Sequence, residues 1–401
     1  MAELLVRAGI NDAALLEGVL RGPVGHRPHR LVLDAHTAVA TDRLAKAAQR
    51  GGAALLIDPQ THYLQARQHP NDPWAQLPFA TCDALSAGAL LAPERLEQLV
   101  SQAVSYQLTH GASAIVAPYV HVERADDGWV QVQLALWQKT RRVLERDQIH
   151  LPVVAVVALG WRELDRDRWP ATLRPLQACL RYELRPDEVA LAASKVDAGA
   201  HPAERLAAFI AVLRQLRRQW PVLAWQQGAL GEAAVAAGAA GYECGIGWRE
   251  RCDLQKQMRS HATPRDPKDG GGARPVYIAA LNQSLPKRSV ALLVQDLRVA
   301  AQLTCLEPTC CPGGTRDLLE DPRPHAIAAR RRNLDVLTRP EQPAWRWNVL
   351  AQHSAAGLEL AARINLLAAR TPGLTRVSTQ ALEATLALAD HRRQSLGRHA
   401  A

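Results

Sequence analysis

The chain has 401 residues, 48% of them hydrophobic, and a formal net charge of +9. This length fits two ordinary domains or one large α/β barrel with insertions, and it is enough to bury a sizeable core. The N-terminal sequence lacks the basic start and long apolar run of a secretory signal, and no stretch reaches about 18 uncharged apolar residues. These absences predict a soluble, cytoplasmic protein with no membrane contact.

Short apolar runs bounded by turn residues alternate with longer amphipathic segments. Helices are predicted from Thr37 to Arg50, over 92–111 with Pro93 and Gly111 as start and stop signals, and around 130–147. The predicted strands are 30–35, 53–59, 113–120, 151–160, 178–184, 221–228, 240–247 and 275–281. Eight continuous apolar strands separated by helices predict a TIM-type (β/α)8 barrel, with an open doubly wound sheet as the alternative.

The predicted domains follow from this pattern. Residues 1–283 form the barrel, 284–340 form a C-terminal zinc-binding subdomain, and 341–401 form closing helices that pack on the barrel. The polar stretch SHATPRDPKDGGGARP (260–275) predicts a mobile loop at the C-terminal mouth of the barrel, where active sites of this fold are built.

The sequence TCLEPTCCPGG concentrates three of the seven cysteines, and His325 follows shortly after it. An odd number of cysteines without an export signal argues against a disulfide framework and favours metal binding. A structural zinc ion takes four N or S ligands in a tetrahedron, which predicts Cys305, Cys310, Cys311 and His325 as its ligands. His353 or Cys252 are alternatives to His325, and three simply reduced thiols are the alternative to a metal site.

Polar residues also stand where predicted strands end. Asp34 and Asp58 end the first two, and Glu243 lies within the seventh. A carboxylate near the end of an apolar strand is costly unless it is hydrogen-bonded or functional. The glycines of QQGALGEAA end another strand and open a helix, so backbone N–H groups there could face an anion or the edge of a heterocycle.

These pieces together resemble the tRNA-guanine transglycosylase superfamily, TIM barrels with a zinc subdomain near the C-terminus. ALLIDPQTHYL resembles the segment in which an aspartate ends a strand, QGALGE resembles the Gly-Gly-Leu base-binding turn, and YECGIGWRER resembles the segment with the nucleophilic acid. The resemblance implies that Asp58 handles the proton and that Glu243 is the nucleophile. It also implies that Arg249 and the turn residues Gly228, Ala229 and Leu230 bind substrate.

Three departures from the family pattern matter. The nucleophile is Glu243 where the family has aspartate. The Ser-Gly-Gly-Phe-Gln after the first family aspartate is Pro-Gln-Thr-His-Tyr here, and the cysteine spacing is recast as Cys-x4-Cys-Cys. These changes suggest a divergent branch, akin to relatives that modify DNA.

The implied activity is a pentosyltransferase reaction that exchanges guanine in tRNA or DNA for a 7-deazaguanine-type free base. It proceeds through a covalent glycosyl–carboxylate intermediate. Asp34 would hold substrate, while Arg249, Arg251 and the basic run 325–333 would contact phosphates, as the net positive charge also indicates. Trp225 and Tyr119 could stack on a flipped base, although core packing is the ordinary role of such residues. The oligomeric expectation is a homodimer or a partner subunit.

Two other functions stay open at this point. One is a non-catalytic, zinc-containing nucleic-acid-binding or partner subunit, favoured by the change from aspartate to Glu243. The other is a metal-dependent hydrolase that uses HRPHR (26–30) or DAHT (34–37) at the barrel mouth, but neither run supplies the usual set of paired histidines and a distant acid.

Overall fold

The computed structural model describes residues 2–39, 42–165, 168–263 and 273–399. Its strands, in chain order, are β1 (Glu3–Ala8), β2 (Arg30–Asp34), β3 (Ala54–Asp58), β4 (Ile115–Val116), β5 (His121–Val122), β6 (Val153–Leu159), β7 (Glu188–Ala193), β8 (Val222–Ala224), β9 (Gly241–Cys244), β10 (Val276–Ile278) and β11 (Gln283–Leu285).

The helices fall into two groups. Those that surround the sheet are α1 (Ala13–Arg21), α2 (Ala35–Ala38), α3 (Asp42–Gly51), α4 (Ala87–Leu90), α5 (Pro93–Thr109), α6 (Trp129–Arg146), α7 (Trp161–Leu164), α8 (Trp169–Cys179), α9 (Pro202–Arg217), α10 (Gly231–Ala236) and α11 (Leu254–Ser260). The C-terminal helices are α12 (Lys287–Leu293), α13 (Leu297–Leu303), α14 (Thr315–Glu320), α15 (Pro322–Thr338), α16 (Pro343–Ala368) and α17 (Gln380–His399). No helix in the described part of the chain is long and apolar enough to cross a membrane.

One parallel sheet curls into a barrel. Its strand order is β3-β2-β1-β9-β8-β7-β6-β4, and β5 continues beside β6 beyond the end of β4. A parallel bridge between Leu56 and Ala114 joins β3 to the start of β4, and the backbone N–H of Ser113 donates to the carbonyl of Leu55 at 2.8 Å. Because β4 and β5 share one position, the ring has eight strand positions. The predicted TIM-type (β/α)8 fold is therefore confirmed.

Side chains alternate between the barrel interior and the surrounding helices. Leu5, Val32 and Leu56 point inward and share one apolar cluster, whereas Leu4 and Leu33 pack outward in the larger core. Further toward the carboxyl ends of the strands the same alternation brings polar residues inside. These are Arg7 in β1, Asp34 in β2, Asp58 in β3 and Glu243 in β9.

Two predicted strands are wrong. Residues 178–184 continue helix α8 and end in a π-turn, because Leu176, Leu180 and Leu184 repeat every four residues and bury one helical face. The segment 275–281 contains β10, which pairs antiparallel with β11 outside the barrel. Strands β1 and β7 fill the two places in the ring, and neither was predicted. The predicted loop 260–275 falls largely on 264–272, which lie outside the described residues.

A second, smaller apolar core lies in the C-terminal part. It gathers residues of the β10–β11 hairpin, of α12, α13 and α16, and the side chains of Cys305 and Cys311. Helix α15 carries the basic run 325–333, but Arg330 is fully buried and Arg331 is nearly so. This helix packs against the barrel, so these two arginines do not form the expected exposed stripe for phosphates.

Arg330 joins the two parts of the molecule. Its guanidinium lies 4.1 Å from the ring centre of Tyr277 in β10, donates to the carbonyl of Gly228 at 3.0 Å, and pairs with Glu250. Burial raises the pKa of Glu250, and Arg330 opposes that rise. A largely buried carboxylate is thus paired with a fully buried cation.

We expect Arg330→Met to lower the free energy of unfolding by about 3–5 kcal/mol, because Glu250 would stay buried without its partner. Arg339→Met, at an exposed position just beyond α15, is the control and should change stability by less than about 0.5 kcal/mol. Chemical denaturation measures both. Equal effects of the two substitutions would contradict this role for Arg330.

Candidate functional site

The guanidinium of Arg7 is the centre of an acid cluster at the C-terminal mouth of the barrel. Its Nε and Nη2 donate to the two carboxylate oxygens of Glu243, the latter at 3.1 Å, and Nη1 donates to Asp34. The same Nη2 donates to Oδ2 of Asp58 at 2.8 Å. Three carboxylates from three different strands therefore share one cation that is almost completely buried.

A second arginine completes the charge balance. Arg249 follows β9 in a left-handed backbone conformation and pairs with Oδ2 of Asp34. Burial alone would raise the pKa of Asp34, but Arg249 and Arg7 together lower it well below its ordinary value. Burial raises the pKa of Glu243, Arg7 opposes the rise, and the nearby Asp58 and Asp34 add to it. Three acids against two guanidinium groups leave one negative charge when all are ionised.

Asp58 has two further partners. Its Oδ1 accepts from the backbone N–H of Gln60 at 2.9 Å, and its Oδ2 accepts from the hydroxyl of Tyr119 at 3.2 Å. Tyr119 stacks on His62 with ring centres 5.2 Å apart. The carboxylate is thus oriented from several sides, which is a usual property of groups that handle protons.

Several polar side chains that follow β3 and β8 are buried without a partner among the described residues. Both ring nitrogens of His62, Oε1 of Gln60, Nε1 of Trp225 and Nε2 of Gln226 are such atoms. Burial lowers the pKa of His62, so its imidazole is neutral and offers one donor and one acceptor. Buried polar groups in native proteins normally have a hydrogen-bond partner, so these atoms are candidates to bond with water or a ligand.

The two aromatic residues expected to stack on a base, Trp225 and Tyr119, are both fully buried. Trp225 lies under Arg7, whose guanidinium carbon is 5.4 Å from the ring centre. In this structure both rings belong to the lining of the acid cluster, while the exposed aromatic residue at the mouth is Trp248.

A cleft of about 340 Å³ opens beside the acid cluster. Arg7, Asp34 and Arg249 form its inner end, and the loops after β1 and β9 form its walls. His36, Arg274 and Trp248 also line it. The cleft is at the carboxyl ends of the strands, where TIM barrels bind their substrates.

The turn Gly228–Leu230 does not open into this cleft. A Cβ on Gly228 would meet the carboxylate of Glu250, the N–H of Ala229 donates to the carbonyl of Glu250 at 2.9 Å, and Leu230 is buried. Arg251 is also elsewhere, paired with Asp197 at 2.8 Å. The structure therefore brings together Asp34, Asp58, Glu243 and Arg249 of the predicted set, and it separates Arg251 and the turn from them.

The predicted metal ligands do converge. The ligand atoms of Cys305, Cys310, Cys311 and His325 all lie within 4.8 Å of one another. Sγ of Cys305 is 3.7 Å from Sγ of Cys310, and Nδ1 of His325 is 3.8 Å from Sγ of Cys311. Ligand atoms bonded at about 2.0–2.3 Å to one tetrahedral ion are separated by similar distances. This cluster could hold a metal ion.

Neighbouring groups orient these ligands. Nε2 of His325 is 3.1 Å from the carbonyl of Tyr277, which assigns the N–H to Nε2 and leaves Nδ1 free to bind metal. Two nitrogens of Arg332 each lie 3.8 Å from a sulfur, one from Cys310 and one from Cys305. Although burial opposes both shifts, hydrogen bonds lower the pKa of Cys305 to about 6 and raise the pKa of His325 to about 9.

Neither alternative ligand belongs to the cluster. His353 is held by Glu232 at 3.1 Å and by the carbonyl of Ala279 at 2.9 Å. Cys252 is buried within the barrel-interior cluster. Among residues 2–39, 42–165, 168–263 and 273–399, no further group of three or more His, Cys, Asp or Glu side chains converges in this way.

Sequence reasoning missed Arg7, His62 and Trp248. The signal for Arg7 was present, because ELLVRA places one arginine within an apolar run. An arginine at that position needs acidic partners, and Asp34, Asp58 and Glu243 supply them only once the barrel closes.

No family model and no curated protein sequence matches this chain. Solved structures that resemble it include a GH18 chitinase from Pseudoalteromonas aurantia, with 10% identity over 65% of this chain and 100% of that one and a TM-score of 0.39. Malate synthase from Haloferax volcanii has 11% identity over 90% of this chain and 98% of its own chain, with a TM-score of 0.35. The carboxyl transferase domain of Rhizobium etli pyruvate carboxylase has 12% identity over 98% of this chain and 78% of its own chain, with a TM-score of 0.34. Similarity this low bears on neither chemistry nor substrate.

We expect Arg7→Met to lower the free energy of unfolding by about 3–5 kcal/mol at neutral pH, because three buried acids lose their common cation. Without Arg7 the folded-state pKa values of Asp34 and Glu243 rise above their wild-type values, so protonation costs the variant less than it costs wild type. In wild type the lowered pKa of Asp34 removes stability as the pH falls, while the raised pKa of Glu243 has the opposite effect. The difference between the proteins should therefore shrink as the pH falls from 7 to about 4.

Arg30→Met is the matched control, since Arg30 pairs with Glu188 at the opposite end of the barrel and is partly exposed. It should cost about 1 kcal/mol or less. Denaturation curves at several pH values make the comparison. An Arg7 effect as small as that of Arg30, or one that grows in acid, would contradict the proposed charge balance.

Purified wild-type protein is expected to contain about one metal ion per chain, and Cys311→Ser should lose it, because a hydroxyl binds such ions far more weakly than a thiolate. Cys82→Ser, at a half-exposed cysteine outside the cluster, should keep the metal. Elemental analysis by mass spectrometry gives the content. Metal-free wild type with freely reacting thiols would refute the site.

Proposed function

We propose that this chain is a base-exchange transglycosylase that acts on guanine in nucleic acid and inserts a 7-deazaguanine-type base. The observation that carries the proposal is that one nitrogen of Arg7 contacts both Asp58 and Glu243. Two acids 185 positions apart in sequence thus lie side by side at the barrel mouth. Base exchange requires such a pair, one acid as nucleophile and the other for proton transfer.

In the first step a carboxylate oxygen of Glu243 attacks C1′ of the target nucleotide. The C1′–N9 bond breaks, its electron pair leaves with guanine, and the departing base takes a proton from water. In the second step the Asp58 carboxylate takes the proton from N9 of the incoming base, whose nitrogen attacks C1′ and releases Glu243, and Asp58 then returns this proton to water. No oxidant, reductant or further co-reactant is needed.

Arg7 and Arg249 serve this chemistry electrostatically. Arg7 counteracts the effect of burial on Glu243, which favours the ionised nucleophile, and it keeps the two acids in a fixed relation. Arg249 neutralises Asp34, so the site does not accumulate three uncompensated negative charges beside a phosphodiester.

The unpartnered polar atoms that follow β3 and β8 suit a heterocyclic base. They include donors on Trp225 and Gln226, an acceptor on Gln60, and both capacities on His62. A guanine-type base presents donors and acceptors along its edges, and a base taken out of its stack is read through them. His62, in the segment that departs from the family pattern, would change how the base is recognised.

We assign the Cys3His cluster to structural zinc. Three sulfurs and one imidazole nitrogen fill a tetrahedron, which suits zinc and leaves no position for substrate. When bound, the ion would cross-link the loop of Cys305–Cys311 to helix α15. His325 in turn holds the carbonyl of Tyr277 and so connects this loop to β10.

One observation favours a second function, a nucleic-acid-binding or partner subunit without base exchange. Glu243 is only 1% exposed, and both of its oxygens are engaged by Arg7. A nucleophile must direct a lone pair at C1′, so Arg7 has to release one of its hydrogen bonds to Glu243 when substrate binds. A protein in which Arg7 keeps both hydrogen bonds would bind nucleic acid and perform no chemistry.

The test is covalent trapping. Wild type is incubated with bulk tRNA or with guanine-containing DNA, and the mixture is separated by denaturing electrophoresis. We expect a protein–nucleic acid adduct with one of the two. Glu243→Gln should abolish it, because an amide cannot form the glycosyl ester. Glu243→Asp should retain a measurable fraction of it.

Glu188→Gln, at the opposite end of the barrel, is the control and should form the adduct like wild type. Persistence of the adduct in Glu243→Gln would exclude Glu243 as the nucleophile. Binding of nucleic acid by wild type without any adduct would favour the second function.

A further inference from the structure

The cleft beside the acid cluster has an aromatic side chain at its edge. Trp248 is 49% exposed and Ile10 is 54% exposed, and both line the cleft. By contrast, Trp74, Trp137, Trp225 and Trp347 are fully buried. A large apolar surface left in water next to a polar cleft indicates a contact that forms with a ligand.

The local backbone fixes Trp248 in this place. The loop after β9 folds back on itself so closely that a Cβ on Gly245 would overlap the carbonyl oxygen of Trp248. Only glycine allows this approach. The backbone that carries Trp248 is therefore held at the edge of the cleft by a tight turn that begins two residues after Glu243.

The charges of the cleft suit a phosphate. Arg7, Arg249 and Arg274 face two acids, Asp12 and Asp34. Burial lowers the pKa of His36 to about 4, so that ring is neutral. Arg7 and Arg249 are already balanced by Asp34, Asp58 and Glu243, so Arg274 is the cation of the cleft that can turn toward a phosphate.

Arg274 can turn toward a ligand without leaving its acid unpaired. It donates to Asp12 at 2.9 Å, and Arg323 approaches the same carboxylate at 3.4 Å. Asp12 therefore keeps one cation when Arg274 engages a phosphate.

The size of the cleft limits the occupant. About 340 Å³ lies at the lower end of the range of small-ligand sites, about 300–1,000 Å³, and is enough for one nucleotide. Arg7, Asp34 and Arg249 line the cleft, and Arg7 and Asp34 contact the other members of the acid cluster, which do not line it. An occupant of the cleft is therefore adjacent to the nucleotide on which those acids would act.

We propose that this cleft is a subsite for the nucleotide next to the one whose base is exchanged, with Trp248 stacked on its base and Arg274 on its phosphate. This inference rests on the proposed function for the identity of the neighbouring nucleotide. It adds a site for a single-stranded flanking nucleotide, which contributes affinity through stacking and charge.

The test is fluorescence anisotropy with labelled seven-nucleotide single strands, one of RNA and one of DNA, each with a central guanine. Trp248→Ala should weaken binding of the preferred strand by about 5- to 100-fold, the usual effect of removing one stacking side chain. Trp345→Ala is the matched control, because Trp345 is 58% exposed and lies in α16. It should bind like wild type.

Two further measurements separate stacking from general damage. An abasic residue beside the central guanine should weaken binding to wild type by a similar factor, and it should not weaken binding to Trp248→Ala further. Arg274→Gln should reduce the slope of log affinity against log salt by about one phosphate contact.

Equal affinity of Trp248→Ala and wild type, or additive effects of the abasic residue and Trp248→Ala, would overturn the subsite. Absence of binding of either strand to wild type would overturn it as well. The covalent assay is separate from these measurements. If Trp248→Ala binds the strand more weakly and wild type forms no adduct, the subsite stands and base exchange is refuted. If wild type forms an adduct and Trp248→Ala binds like wild type, base exchange stands and the subsite is refuted.

Discussion

A single buried guanidinium determines how the mouth of this barrel is built. Arg7 is the only described cation that contacts Asp34, Asp58 and Glu243 together, and the three acids come from β2, β3 and β9. Burial of several like charges is strongly unfavourable without a counter-charge at hydrogen-bonding distance. β1 lies between β2 and β9 in the ring, so its inward-facing arginine is within reach of all three acids.

The C-terminal part is connected to the barrel by a chain of specific contacts. His325, one of the four converging ligands, holds the carbonyl of Tyr277, and the ring of Tyr277 packs under Arg330. Arg330 then holds the carbonyl of Gly228 after β8. Loss of the ordered cysteine loop would thus be transmitted to the turn that opens α10. These contacts also explain why this turn is packed against the C-terminal part and does not face the cleft.

Local patterns in the sequence predicted what depends on local spacing. The convergence of the four predicted ligands was predictable because three cysteines and a histidine lie within 21 positions, so that two tight turns and one helix bring them together. Strands such as β2, β3 and β6 were predictable because parallel strands buried on both faces are continuously apolar. The closure of these strands into an eight-position ring followed from their number.

What depends on distant pairing was not predictable. β1 contains a glutamate and an arginine, and β7 is rich in alanine, which has a low preference for strands. The segment 178–184 has an apolar run that suits a strand and a helix equally well. The pairing of Arg7 with Glu243 spans 236 positions of the sequence. The exposure of Trp248 depends on a turn whose shape cannot be predicted from the neighbouring residues.

The central claim is that the acids held by Arg7 exchange a base in nucleic acid. The most direct measurement is the incorporation of tritiated guanine into acid-precipitable tRNA and, in parallel, into guanine-containing DNA. Wild type should incorporate label into one of them in proportion to enzyme and time, and Glu243→Gln should not. Failure of wild type to label either nucleic acid, with a folded protein and a filled metal site, would contradict the claim.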